Sequence, residues 1–252
     1  MTLAELAAAA ALILVAVLLA WPVPILLSRA AWPARAPGWA LLLWQLIAVA
    51  GGFSMIGALW LVGLALLPQW PLLAALPAAA LAAYLLVHLG ITIVQFERQR
   101  RRHLALLQLL SAPHPTHART RVLDDAAPVA YCLPRGIGSV TVLSQGLLDG
   151  LDQDELAAVI AHERAHVEQR HEVLLVAFKA WRDALPWFPI AARAESEVAA
   201  LVEMRADDSA RRTTRDEVLA RAILRVAGPA GPAEHASSRR DRHRDRFLRL
   251  SF

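Results

Sequence analysis

The sequence predicts a mainly α protein: three membrane-spanning helices, then a water-facing α+β domain with a small sheet. Two observations carry this. Of 252 residues, 57% are hydrophobic and mean hydropathy is +0.42, too apolar for an ordinary soluble domain. The apolar residues are also unevenly placed: residues 1–97 hold four charged groups, Glu5, Arg29, Arg35 and Glu97. The composition shift near Phe96 predicts three regions: a membrane domain over 1–97, a folded domain over 98–228, and an arginine-rich C-terminal tail over 229–252.

Three apolar runs fill the first region, at 6–26, 40–67 and 72–96. Each reaches the roughly 20 residues that a bilayer core requires. Almost no charge falls on any face of these runs, which argues against buried helices of a soluble core. The opening MTLAE lacks the basic region of a secretory signal, so the first run is expected to be retained. Trp21, Trp32, Trp39 and Trp70 lie near run ends, where an interfacial aromatic belt places them. His88 and Gln45 fall inside runs, where interhelical hydrogen bonding is the simpler reading and a functional role the other.

Arginines predict the orientation. Arg29 and Arg35 follow the first run, the loop PQWP after the second has no charge, and ERQRRRH follows the third. Basic loops stay in the cytoplasm. The N-terminus is therefore expected outside, with everything after residue 97 cytoplasmic.

Beyond the third run, residues 103–111 continue its helical pattern, and SAPHPTHART ends it with two prolines. PVAYCLP (128–134) and SVTVLSQGLL (139–148) read as short strands around the turn RGIG. Asp152 with Glu155 three residues on forms a capping box. The helix it opens is expected over 153–181, burying Leu156, Val159, Ile160, Val167 and Leu174. A helix over 194–212 and another from Asp216 to AGPAGP complete the domain. No internal repeat is visible.

The net charge of +4 is mild, and no basic motif suits nucleic acid, so no direct nucleic-acid binding is expected. Cys132 is the only cysteine, which excludes an internal disulfide and permits a reducing compartment.

The chemistry concentrates in AHERAHVEQRH, residues 161–171. His162 and His166 stand one helical turn apart and present two imidazoles on one face, half of a tetrahedral zinc site. Glu163 adjoins the first of them, placed to take a proton from a zinc-bound water as it attacks a carbonyl. A third ligand is needed. LVEMRADDSA offers Glu203 with Asp207 four residues on, the glutamate for one zinc ion and the aspartate for the second nitrogen of a ligand histidine. Glu195 and Glu197 are alternatives without a partner aspartate. On a continuous helix His171 would point well away from the histidine pair, as a surface or supporting group. Asp208 faces away from Asp207 and reads as structural.

The stretches AYCLP, LLDGLDQDELAAVIAHERAHVEQRH, LPWFP and LVEMRADDSA, behind three spans, resemble the integral-membrane zinc peptidases of the bacterial β-lactam sensor-transducer (antirepressor) family. More specifically, the chain resembles the shorter members that lack a penicillin-binding sensor domain. The resemblance runs from the spans to about residue 228. It implies ligands His162, His166 and Glu203, a catalytic Glu163 and a supporting Asp207. It also implies a gluzincin-like fold in which an edge strand, here PVAYCLP, pairs with the substrate backbone. The implied location is the bacterial plasma membrane, and the implied substrate is a cytoplasmic protein, a transcriptional repressor. Family members usually carry a fourth span after the peptidase domain, and this sequence contains none. Two other functions fit the same residues: a quality-control peptidase that clips membrane proteins, and a non-catalytic receptor that keeps the fold. An intact Glu163 argues against the receptor. The oligomeric state is not legible.

Overall fold

The computed structural model describes residues 3–113, 120–134 and 139–227. The turn RGIG and the tail after residue 228 lie outside the described residues. The chain divides into two compact units, residues 1–96 with 174–201, and residues 97–173 with 202–252.

In the first unit, α1 (Leu3–Ala20) and α2 (Pro22–Arg29) make up the first apolar run. The run is expected as one helix and is broken at Trp21, whose φ of −131° and ψ of −71° leave the helical region. Pro22 brings no N–H, so the break falls where a backbone donor is missing anyway. A short α3 (Trp32–Arg35) precedes α4 (Pro37–Leu66). The buried side of α4 runs Ala40, Leu41, Trp44, Ile47, Gly51, Ser54 and Ala58, a helical stripe rich in small residues, and α1 packs against α4. Gly63 is required by the next helix: a Cβ there would stand 2.1 Å from the Ala74 carbonyl oxygen. α5 (Pro71–Leu110) is the longest helix, continuing past the apolar run as its pattern predicts. All three runs are long and apolar enough to cross a membrane. The unit also includes most of α8 (His171–Ala184) and the first half of α9 (Pro189–Ala210).

The second unit holds a four-stranded mixed sheet: β1 (Ser111–Pro113), β2 (Thr120–Leu123), β3 (Ala130–Pro134) and β4 (Ser139–Ser144), in the order β1-β2-β4-β3. β2 and β4 are parallel, and the other two pairings are antiparallel. β3 and β4 lie where the alternating apolar residues predict strands. β1 and β2 come from residues to which the sequence pattern assigns no strand, because segments of three and four residues are too short to show alternation. The strand expected to reach residue 148 stops at Ser144. There Ser144 Oγ accepts a hydrogen bond from Leu147 N at 3.1 Å and starts α6 (Gln145–Gly150) instead. His103, on the extension of α5, rests against the Tyr131 ring of β3 at 5.4 Å between centroids.

α7 (Gln153–Glu168) opens with the expected capping box. Asp152 Oδ1 accepts from Glu155 N at 2.8 Å, and Glu155 Oε2 accepts from Asp152 N at 3.2 Å. The buried side of α7 is Glu155, Ala158, Val159, His162 and Ala165. Leu156 and Ile160 are only partly buried against the core. The small Ala158 and Ala165 let neighbouring elements approach, so alanine fills positions where the sequence pattern points to leucine. That core joins Val159 to Leu143, Leu147, Leu219, Ala222 and Ile223, the last three from α10 (Asp216–Ala227). α10 also clamps the start of α7: Arg225 donates to Glu155 Oε2 at 2.6 Å, and Arg221 lies 3.5 Å from Oε1. Glu155 is 0% exposed. The buried carboxylate is tolerated because two guanidiniums and the capping N–H face it.

Candidate metal centre

The helix expected over 153–181 is two helices. α7 ends at Glu168 and α8 starts at His171. Between them Arg170 takes φ 51°, the one positive φ at a non-glycine among the described residues. This kink sets the site. His162 and His166 share one face of α7, as their spacing requires. Their Nε2 atoms stand 3.1 Å apart. Glu203, from α9, brings Oε2 to 3.5 Å from His162 Nε2 and Oε1 to 3.6 Å from His166 Nε2. His162, His166 and Glu203 each place a donor atom within 4.8 Å of the others, the one such group found among the described residues. Ligands about 2.0–2.2 Å from a tetrahedral ion stand about 3.3–3.6 Å apart. The two histidine–glutamate separations fall in that range, and the 3.1 Å between the imidazole nitrogens is slightly shorter, so the set suits a single ion once the two rings open by a few tenths of an ångström.

The hydrogen bonds behind the site decide what faces it. His162 Nδ1 lies 3.0 Å from Asp207 Oδ1, and Asp207 is 1% exposed. A carboxylate accepts only, so Nδ1 carries the proton and Nε2 its lone pair. His166 is oriented differently. Its Nδ1 lies 3.1 Å from His171 Nδ1, and His171 Nε2 lies 3.3 Å from Gln169 Oε1. The amide oxygen of Gln169 accepts from His171 Nε2–H. His171 Nδ1 is then the acceptor, and His166 Nδ1–H donates to it. Burial pushes the His171 pKa down to about 4, so its ring stays neutral and can accept. Both ligand imidazoles thus aim Nε2 lone pairs at the Glu203 carboxylate. Lone pairs gathered this closely repel unless a cation lies among them, so the donor set fits a metal ion.

His171 departs from the sequence reading. It is 2% exposed and touches His166, because the kink at residues 169–170 turns it back where a continuous helix would carry it away. The motif alone holds no signal for this. Glu195 is held elsewhere, accepting from Arg182 Nη1 at 2.6 Å, and neither Glu195 nor Glu197 joins the cluster. Asp208 faces Arg211 at 3.8 Å. Glu163 lines a cavity of about 180 Å³ together with His162, Glu203 and the apolar Val159, Leu219 and Val226. On β3, which packs against α7, burial pushes the Cys132 thiol up, so it stays protonated.

An HExxH helix, a glutamate from a second helix and a cavity beside both define a metal-dependent peptidase. The family model of Peptidase family M48 matches residues 94–239, more than half of the chain. The chain belongs to peptidase family M48, a family of metallopeptidases. Searches of curated proteins and of solved structures found no match. The family match does not extend to the sensor-transducer subfamily that the sequence resembles.

Proposed function

We propose that the protein is a membrane-anchored zinc endopeptidase whose catalytic domain, residues 98–228, faces the cytoplasm. In this reading it hydrolyses peptide bonds of a cytoplasmic protein, a transcriptional repressor, as regulatory proteolysis. The observation that carries the peptidase reading is the convergence of two Nε2 lone pairs and one carboxylate at 3.1–3.6 Å, each imidazole backed by its own acceptor. His162, His166 and Glu203 would hold the ion, with Asp207 orienting His162. A zinc ion held there would supply Lewis-acid activation of water and of a substrate carbonyl.

Glu163 takes the proton from the attacking water on its carboxylate and passes it to the leaving amine. β3 is an edge strand of its sheet and packs against α7. Its outer backbone groups receive an extended substrate as an added strand. The apolar walls of the 180 Å³ cavity take a substrate side chain beside the scissile bond. An engineered apolar cavity of about 150 Å³ holds benzene, so a leucine- or phenylalanine-sized side chain suits this one.

A second reading keeps the chemistry and changes the substrate to damaged membrane proteins. The match to peptidase family M48 without the sensor-transducer context supports weighing it. The test uses zinc stoichiometry and cleavage on the same purified samples. Glu163→Gln keeps zinc and loses about 10²–10⁴ in rate. Glu203→Ala loses the zinc itself. A zinc-replete Glu163→Gln cleaving near the wild-type rate refutes the mechanism. A proteome comparison of wild type with Glu163→Gln separates one stabilised repressor from many stabilised membrane proteins.

A further inference from the structure

Residues 174–201 group with the apolar helices in the first unit, yet their composition does not read as a span. They carry Lys179, Arg182, Asp183, Arg193, Glu195 and Glu197. Their contacts set their depth. Tyr84 Oη donates to the Ala184 carbonyl at 2.7 Å. Tyr84 is twelve residues from Phe96 on α5, about 18 Å along the helix at 1.5 Å per residue. The Phe188 ring lies 6.4 Å from that of Trp21. Trp21 is five residues inside the end of its apolar run at residue 26, about 7.5 Å along the helix, in the outer part of the core next to the interface. Leu85, Leu89 and Gln45 join Phe178, Trp181 and Ala184 in lining one cavity of about 220 Å³. Half of a hydrocarbon core is about 15 Å.

Resting on the reading of the three apolar helices as spans, we propose that residues 174–201 form a re-entrant hairpin. α8 enters the hydrocarbon from the Phe96 side, turns at Leu185–Phe188 and returns as α9, with the Trp187 side chain among lipid acyl chains.

Two conditions that hydrocarbon imposes are met in large part by the hairpin. Charges entering it must be paired, since a lone one costs about 2.5–3.5 kcal/mol or more. Lys179 Nζ contacts Asp183 at 2.6 Å, Arg182 Nη2 contacts Asp183 at 2.9 Å, and Arg182 Nη1 contacts Glu195 at 2.6 Å. Four of the six charged groups, two cations and two anions, thereby close one neutral network, and Arg193 and Glu197 add one charge of each sign on α9. Backbone donors must also be satisfied. At the tip Pro186 and Pro189 carry no N–H, while Leu185 N donates to Trp181 O and Phe188 N to Leu185 O, both at 3.0 Å. Trp187 is 71% exposed and points away from this packing. Acyl chains are the occupant that matches an apolar side chain at this depth. The hairpin's returning helix, α9, is also the one that bears Glu203.

The test reconstitutes the full chain in phosphatidylcholine vesicles containing a lipid with a diazirine on its acyl chain. After irradiation, adducts are mapped by mass spectrometry. Adducts are expected on residues 185–189 together with α4 and α5, and not on α10. In parallel, Trp187→Cys is treated with a water-soluble maleimide in vesicles opened by freeze–thaw. The wild type, with its buried Cys132, is the blank. Modification at least tenfold slower in vesicles than after detergent denaturation is expected. Labelled spans with an unlabelled tip overturn the proposal, and a tip that is unlabelled yet shielded from maleimide assigns it to a protein partner instead. Unlabelled spans overturn the membrane reading and the hairpin with it, while zinc binding and cleavage in detergent remain unaffected by either result.

Discussion

Replacing His171 with alanine tests the hydrogen-bond relay that aims His166 at the metal. The wild-type ring is neutral and 2% exposed, fixed between His166 Nδ1 at 3.1 Å and Gln169 Oε1 at 3.3 Å. Its loss frees the His166 ring to rotate and to move its proton to Nε2, the atom proposed to bind zinc. Removing such an acceptor from a ligand histidine weakens metal binding by about 10–100-fold, or about 1.4–2.7 kcal/mol. Zinc affinity is measured by competition with a chromophoric chelator, and folding by circular dichroism. His171→Asn, whose side-chain oxygen still accepts, recovers part of the loss. At saturating zinc the alanine variant returns to within a few-fold of wild-type cleavage, because Glu163 is untouched. Folded His171→Ala with zinc affinity within twofold of wild type refutes the relay.

Three further outcomes follow from other parts of the molecule. A reporter fused after Arg102 behaves as cytoplasmic and one fused within PQWP as exported; the reverse result excludes a cytoplasmic substrate. Val226→Trp, at the wall of the 180 Å³ cavity, raises KM for peptides with leucine or phenylalanine beside the scissile bond and leaves zinc content unchanged. Unchanged KM places that side chain elsewhere. Glu155→Ala removes the side-chain half of the capping box and takes the carboxylate away from Arg221 and Arg225, the latter keeping its bond to the Gly150 carbonyl. Both arginines are half exposed and rehydrate, so the expected loss is about 1–3 kcal/mol rather than the larger cost of orphaning a fully buried charge. Urea unfolding in detergent reads it, and a loss under 0.5 kcal/mol refutes the clamp.

The sequence by itself determined the features that depend on local spacing. Apolar runs of bilayer length, the Asp152–Glu155 capping box and the four-residue step from His162 to His166 each follow from helix geometry and near neighbours. The pairing of Glu203 with Asp207 was legible for the same reason, since both act from one helix face. Only the tertiary structure decided what depends on residues far apart or on a single backbone angle. The break at Arg170 reverses the direction of His171 and makes it a partner of His166, and no periodicity encodes one positive φ. β1 and β2 are too short to alternate visibly and exist because the sheet supplies their hydrogen bonds. That residues 174–201 group with the apolar helices was not legible either: it rests on the Tyr84 hydrogen bond to the Ala184 carbonyl and on ion pairs joining Lys179, Arg182, Asp183 and Glu195. Charge pairing across a hairpin is a property of folded distance, and linear composition does not contain it.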